Sequence, residues 1–450
     1  MIAAAPNAPQ AKPLSLTPGV LRLRHGPLLL LPMYFAALWM LLPFAVLVVA
    51  PFSLQLDNPF LVFCYVLLNT IFFCVGYRLI GVRAPSSLSE GPHLKTVRQV
   101  IRIGFWLALL LLPFSIFIYT GKSIFDIASV LDQNAVYASL GEVFEEESTT
   151  RKLLSLIRAL AAPLTIAVIP LAAFYWSQIG TGTRSFAIGT VLTYLLFSAF
   201  RGTDKESGDL IILSLSGILA RAAFLKTRGK KVSKRSIVMG ASFVAAIISL
   251  FVILFVFRKS ERLGGFVGFC LYGDVACFEP TNSSEFGDIV SFGVAIFSAY
   301  FVQGYYGLSL ALPLDYEWTY GIGHSQPLQT IAGLFVDTGP IYDSGLLAQL
   351  QTVGWHDRFV WSSIFPSLAS DVTLLGIPIL FLFIGNLYGR SWTTAVSKGR
   401  PDAIVLFALL TILVLYIPAN NQIAQSFDLY FATVFWLITF ITRKYKDVRR

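Results

Sequence analysis

About ten apolar stretches approaching 20 residues recur along the chain, and a water-soluble fold has no interior large enough to hide them all. They lie near 27–50, 58–80, 101–120, 153–176, 185–200, 209–225, 236–257, 373–389, 403–418 and 428–442. Continuous apolar runs of this length satisfy their backbone in lipid as helices, so the class implied is an all-α polytopic membrane protein with about 10–12 transmembrane helices. Composition agrees where it is decisive. Of 450 residues 56% are hydrophobic and 13% charged, more apolar surface than a soluble domain can bury. The 38 Phe residues suit lipid-facing positions and headgroup-level anchoring.

A net charge of +9 would suggest nucleic acid in a soluble protein. Here the basic residues flank hydrophobic segments, which is the positive-inside pattern, and no nucleic-acid partner is expected. Arg78, Arg83, Lys95, Arg98 and Arg102 follow the second segment, and Lys226, Arg228, Lys230, Lys231, Lys234 and Arg235 follow the sixth, so both connections are expected to be cytoplasmic. Glu142, Glu145, Glu146 and Glu147 lie in the connection after the third, on the other side. Both termini are then cytoplasmic, with 1–26 a disordered tail and 373–450 ending in a basic one. The first apolar run is too long for a signal peptide and is expected to remain as a span.

Residues 27–257 thus hold seven transmembrane helices, and 373–450 the last ones. Between them, 258–372 reads as the main extracytoplasmic region, rich in Trp, Tyr, Gly, His and Asp, where function is expected to be built. The apolar stretch 289–312 inside it is expected to be re-entrant or peripheral, because one crossing there would reverse the charge bias of every later loop; a weak second crossing near 327–350 is the alternative.

Cys64 and Cys74 fall inside the second segment, where thiols act as small hydrophobes. Cys270 and Cys277 are separated by six residues outside the cytoplasm, where a disulfide can form. Only His25, His93, His324 and His356 could add imidazoles, and no metal site or cofactor is expected. Asn282-Ser283-Ser284 fits a glycosylation acceptor, a match short enough to arise by chance. No phosphate-binding loop, dinucleotide fingerprint or nucleophile elbow is present.

Polar clusters gather instead at predicted membrane edges. The connection Phe200-Arg201-Gly202-Thr203-Asp204-Lys205-Glu206 pairs a phosphate-forking guanidinium with a glycine that permits close approach, though a solvated turn would look the same. Arg258, Lys259 and Arg262 are further cations near the same edge. Gln303-Gly-Tyr305-Tyr306-Gly and Glu317-Trp318-Thr-Tyr320-Gly-Ile-Gly-His324-Ser325 mix rings, hydroxyls and glycine, as a sugar-contacting surface does, with headgroup anchoring as the competing reading. Trp355-His356-Asp357-Arg358 leads into Phe365-Pro-Ser-Leu-Ala-Ser-Asp371, and Pro418-Ala-Asn420-Asn421-Gln422 closes the set.

Taken in order from 201 to 422, the pieces Arg201-Gly202, Gly-Tyr-Tyr-Gly-Leu-Ser-Leu-Ala-Leu, Glu-Trp-Thr-Tyr-Gly-Ile-Gly-His-Ser, Phe-Pro-Ser-Leu-Ala-Ser-Asp371 and Pro-Ala-Asn-Asn-Gln resemble the Wzy-type oligosaccharide repeat-unit polymerases of O-antigen and capsule assembly. The resemblance implies a GT-C-like membrane glycosyltransferase related to the O-antigen ligases, inverting and metal-independent, at the outer face of the bacterial inner membrane. Its substrates would be polyprenyl-pyrophosphate-linked oligosaccharides as donor and acceptor, with a chain-length regulator as a further partner. A pyrophosphate leaving group needs cationic stabilisation, and an acceptor hydroxyl needs a base. Arg201 is the first candidate for the pyrophosphate, supplemented by Arg258, Lys259 and Arg262; His324 is the first candidate base and His356 the second. Tyr305, Tyr306, Trp318, Tyr320, Trp355, Arg358, Asp371, Asn420, Asn421 and Gln422 are expected to contact substrate. The rivals are an O-antigen ligase, with a lipid-A core acceptor, and a polysaccharide-lipid flippase, which would show charge-lined spans and an internal repeat not found here.

Overall fold

The computed structural model describes residues 18–52, 54–79, 93–126, 149–229, 234–271, 276–280, 284–356 and 360–448. Every apolar stretch read from the sequence is helical: α1 (Pro18–Val49), α2 (Pro59–Leu79), α3 (Leu94–Thr120), α4 (Thr149–Tyr175), α5 (Thr181–Arg201), α6 (Lys205–Thr227) and α7 (Lys234–Arg262) come first. A hairpin of β1 (Phe269–Leu271) and β2 (Ala276–Phe278) follows, then α8 (Glu285–Ala311) and the short α9 (Gln326–Ala332), α10 (Gly339–Ser344), α11 (Leu346–Thr352) and α12 (Ile364–Val372). The chain ends with α13 (Ile377–Lys398), α14 (Pro401–Tyr416), α15 (Gln422–Gln425) and α16 (Phe427–Val448). The protein is an all-α polytopic membrane protein.

By length and apolarity, seven described helices can cross a membrane, α1 to α6 and α8, and the pair α12 and α13, bent by 113°, would make an eighth. The expected 10–12 spans are not all in this set, which counts described residues only and leaves out α7, α14 and α16. Of these, α14 is short at 16 residues, and its first ten are all buried, so that its apolarity serves the bundle core. α16 carries Asp428 at its start and Arg443 and Lys444 near its end.

The helices alternate in direction between two ends. At one end Tyr77 donates its hydroxyl to the Leu29 carbonyl, Tyr175 donates to that of Gly399, Thr227 to that of Val396, and Arg443 lies 3.6 Å from Asp402. At the other end the α5–α6 turn meets the end of α7, through Arg258 on Asp204 and Arg262 on the Gly202 carbonyl. The hairpin and α8 to α12 all cover this second, loop-rich end. Close helix packing comes from glycine: a Cβ at Gly385 of α13 would stand 2.1 Å from the Phe73 carbonyl oxygen of α2, the small-residue contact common between helices in lipid.

Two expectations for the middle region and one for the N-terminus are corrected. The stretch 289–312 does not dip and return, because α8 is one unbroken helix; its partners Phe269, Phe52, Ser363 and Asp57 all belong to the loop-rich end. The weak crossing near 327–350 is three helices of seven, six and seven residues, far short of a span. At the N-terminus, α1 begins at Pro18, inside the expected disordered tail. Cys270 and Cys277 sit opposite each other in the hairpin and form a disulfide. Residues 1–17, Arg83, Glu142 to Glu147, Lys230, Lys231, Asn282 and Arg358 lie outside the described residues.

Candidate active site

The loop 316–325 is sewn onto α12 and its neighbours by backbone bonds. Glu317 N–H donates to the Ser344 carbonyl at 3.0 Å and Thr319 N–H to that of Ser370 at 3.0 Å. Tyr320 (φ 56°) and Gly321 (φ 81°) then turn the chain through left-handed conformations that bring successive donors onto one carboxylate. That carboxylate is Asp371. Its Oδ1 accepts from the N–H groups of Gly321 (2.9 Å) and Gly323 (3.3 Å) and from the Thr319 hydroxyl, and its Oδ2 accepts from His324 N–H at 2.8 Å.

The His324 imidazole completes the set, with Nδ1 2.6 Å from Asp371 Oδ2. Asp371 lies at the end of α12, just before the bend between α12 and α13, with Val372 and Thr373 exposed beside it. Burial alone would raise its pKa, but the hydrogen bonds from the His324 ring, the Thr319 hydroxyl and the His324 backbone outweigh it and hold the carboxyl below its ordinary value. An ionised carboxylate only accepts, so Nδ1 is the ring nitrogen that donates to it and Nε2 is the one that faces away. Nε2 has no partner among the described residues, and the His324 side chain is a quarter exposed at 25%. The loop carbonyl of His324 is held by the Ser367 hydroxyl at 3.1 Å and by Asn421 Nδ2 at 3.5 Å.

Both ends of α12 are strained. Ser363 (φ 65°, ψ 176°) and Thr373 (φ 65°, ψ 157°) occupy a region that is essentially reserved for glycine, at about 1–3 kcal/mol each. Buried packing holds Ser363 there, since residues 362–370 are buried without exception, whereas Thr373 is exposed and its N–H donates to the Ala369 carbonyl at 2.8 Å.

Of the rings expected to contact sugar, two are exposed. Trp318 and Tyr320 are exposed, with centroids 4.9 Å apart, and Trp318 Nε1 donates to the Asp371 carbonyl at 2.9 Å, so this platform adjoins His324. The others are corrected. Tyr305 is fully buried and donates its hydroxyl to the Met40 carbonyl at 2.6 Å. Trp355 is buried, packs at a tilt against the half-buried Tyr306 and donates to the Trp361 carbonyl at 3.2 Å. The glycines of the Tyr305-Tyr306 motif serve packing too: a Cβ at Gly304 would stand 1.9 Å from the Pro418 carbonyl oxygen. Asn420, Asn421 and Gln422 are buried, and Asn421 caps α15 while its amide reaches Ser367 Oγ at 3.1 Å. Asp371 orients His324 where substrate contact was expected. His356 is exposed on a separate turn and takes no part in this arrangement.

The cations gather at the α5–α6 turn. Gly202, at φ 62°, ends α5 immediately after Arg201 and returns the chain into α6. Arg201 pairs with Glu206, which also accepts from Thr203 Oγ1 at 2.8 Å. Arg258 pairs with Asp204, Lys259 donates to the Tyr300 hydroxyl, and Arg262 donates to the Gly202 carbonyl. Sequence reasoning missed Arg158 of α4, although a lone cation inside the apolar run of that helix is itself a signal. Arg158 pairs with Asp428 at 2.6 Å, and its guanidinium lies over the Phe197 and Tyr119 rings that Arg201 also covers.

One chain segment joins these groups. Tyr416, at the end of α14, is hydrogen-bonded to Asp209 in the first turns of α6; Asn421 touches Ser367 and His324; Asp428 holds Arg158. Among the described residues, the buried polar atoms at this end with no hydrogen-bond partner include Arg201 Nε, Asp209 Oδ1, Asn420 Oδ1 and Ser363 Oγ. Orphaned groups of this kind are uncommon in native proteins and mark places where a bound molecule completes the bonding. No family model, curated protein or solved structure matches the chain.

Proposed function

We propose that the protein is an inverting glycosyltransferase that polymerises oligosaccharide repeat units carried on polyprenyl pyrophosphate at the outer face of a bacterial inner membrane, with the loop-rich end outside. The observation that carries the reading is the His324–Asp371 pair. It leaves Nε2 as a proton acceptor beside an exposed aromatic platform, at the end of the bundle where Arg201, Lys205, Arg258, Lys259 and Arg262 collect. The sequence resemblance to the Wzy-type polymerases supports the same assignment.

In the reaction, an acceptor hydroxyl attacks the anomeric carbon of the donor sugar from the face opposite the pyrophosphate. Its proton passes to His324 Nε2, and Asp371 stabilises the imidazolium. The anomeric C–O bond breaks, and its electron pair leaves with the pyrophosphate, whose charge Arg201 receives. Trp318 and Tyr320 stack on the apolar face of a pyranose and fix the acceptor chain.

The test is to incubate purified protein with lipid-linked repeat units. Ladders of increasing length, formed without ATP or a lipid-A acceptor, are expected. Absence of any new glycosidic product would sink the reading, and product formed only when lipid-A core is added would transfer it to a ligase. A membrane-impermeant thiol probe on intact cells should label a cysteine placed at 356 and not one placed at 227.

A further inference from the structure

A second cationic site opens from the cation-rich end into the bundle wall. Between α3, α4, α5 and the start of α16 runs a narrow cleft lined by Ala108, Leu112, Ala161, Thr193, Tyr194 and Phe197, with Arg158 and Asp428 at its mouth. Its α3 wall from Ser115 to Ala108 covers about 10 Å along the helix. The hydroxyls in it are bonded within the bundle: Ser115 donates to the Leu111 carbonyl at 2.7 Å, Thr193 to that of Thr190 at 2.8 Å, and Tyr194 to the Thr165 hydroxyl at 3.5 Å. The rest of the lining is apolar apart from the Arg158–Asp428 pair. Leu110, Leu160 and Leu192, all exposed, flank this slot, so a lipid chain could enter sideways from the bilayer.

The mouth is built for more than one negative charge. The Arg158 and Arg201 guanidiniums lie over the same two rings, at 4.5 and 5.3 Å from the Phe197 centroid, so they stand within two ring contacts of each other. Each is offset by a single carboxylate, Asp428 and Glu206. Arg201 Nε is buried with no partner among the described residues, a donor that a ligand could take. A diphosphate has the charge and the span to engage both guanidiniums, and an isoprenoid chain attached to it would continue into the slot.

We infer that Arg158 is a second diphosphate-binding residue and that the α3–α4–α5 cleft holds the first part of the polyprenyl chain. The inference rests on the donor class proposed above and deepens it. Asp428 then guards the empty site: it neutralises Arg158 until the diphosphate displaces it. This gives the two members of one ion pair opposite effects. Removing Arg158 weakens lipid binding, whereas removing the charge of Asp428 strengthens it. A pair that only clamps α4 to α16 would respond alike from either side.

Binding of undecaprenyl diphosphate, undecaprenyl monophosphate and phosphatidylglycerol to the detergent-purified full-length protein, measured by native mass spectrometry, tests this. Wild type should prefer the diphosphate. Arg158→Gln should weaken it at least tenfold, Asp428→Asn should tighten it severalfold, and Ala108→Trp, which fills the slot, should weaken it without altering the thermal unfolding midpoint by more than a few degrees. Should Arg158→Gln fail to fold, the sign of the Asp428→Asn effect and the Ala108→Trp result decide. Equal losses from Arg158→Gln and Asp428→Asn, or no effect of Ala108→Trp, would overturn the cleft while a loss in Arg201→Lys kept the donor reading. Equal binding of phosphatidylglycerol with the same response to the variants would make this a general lipid groove and overturn the diphosphate assignment. A wild type that binds no diphosphate lipid would overturn the donor class and the cleft with it.

Discussion

His324 and Asp371 are joined twice through one oxygen: Asp371 Oδ2 accepts both the His324 backbone N–H at 2.8 Å and its ring Nδ1 at 2.6 Å. The backbone bond fixes where the residue starts and the ring bond fixes where it points, so the imidazole has little freedom left.

Asp371→Asn keeps the shape but can present an amide N–H to the ring, favouring the wrong tautomer. Polymerisation is expected to fall by roughly 1,000 to 10,000-fold, with the protein still folded. His324→Ala should lose about 100 to 10,000-fold while still binding donor. Initial rates at matched abundance check both; near-normal ladders from His324→Ala would transfer the base elsewhere.

Acid should loosen the 318–325 loop through the same carboxyl. The folded-state pKa of Asp371 is depressed, so its contribution is fully present above the unfolded value of about 3.9 and is lost as pH falls through the lower folded value. Proteolytic nicking of the loop should rise below about pH 4 in wild type. In Asp371→Asn the nicking should be high already at neutral pH and change little with acid.

Trp318→Ala and Tyr320→Ala remove the exposed platform; Tyr320→Ala is the cleaner of the two, because Trp318 also donates to the Asp371 carbonyl. Each is expected to raise the apparent KM for the acceptor severalfold and to leave kcat within about twofold, since stacking contributes to binding before and during reaction alike. A fall in kcat with unchanged KM would remove the rings from the acceptor site.

Arg201→Lys should be severely impaired, because a point charge cannot replace a guanidinium that forks onto phosphate oxygens while lying over Tyr119 and Phe197. Arg201→Lys activity within about threefold of wild type would show that a simple cation suffices.

Gly304→Ala should destabilise the fold, since the added Cβ meets the Pro418 carbonyl oxygen at 1.9 Å and backbone must shift. Overpacking of this kind costs about 1–3 kcal/mol. Gly180→Ala, where nothing lies within 4 Å, is the control expected to melt like wild type.

The helices were legible because lipid imposes length and apolarity on each segment, and all ten stretches read from the sequence are helical. Crossing was less legible. α14 is apolar because α4, α6, α13 and α16 surround it, and a run of Ile, Leu and Val looks the same buried in protein or facing lipid. His324 could be read as a base from its titration chemistry, but its partner Asp371 is 47 residues away in sequence, and no local pattern joins them. The aromatic motifs misled for a related reason. Tyr305 and Trp355 have the composition of a sugar site, yet burial decides their role and burial depends on which backbone the glycines beside them admit. Arg158 was visible as a charge in an apolar run, and its kinship with Arg201 came only from rings on two other helices.

Ser363 and Thr373 leave α12 like a bow strung between two pegs. Glycine would occupy either backbone conformation at ease, so a chain that needed α12 to swing during turnover could have placed glycine there. With Ser and Thr at these positions, slackening either peg lets Asp371 drift and leaves the His324 ring unaimed. In the proposed reaction the glycans would move past a fixed imidazole, as thread past a needle, and successive additions would meet the same angle of attack however long the polymer grows.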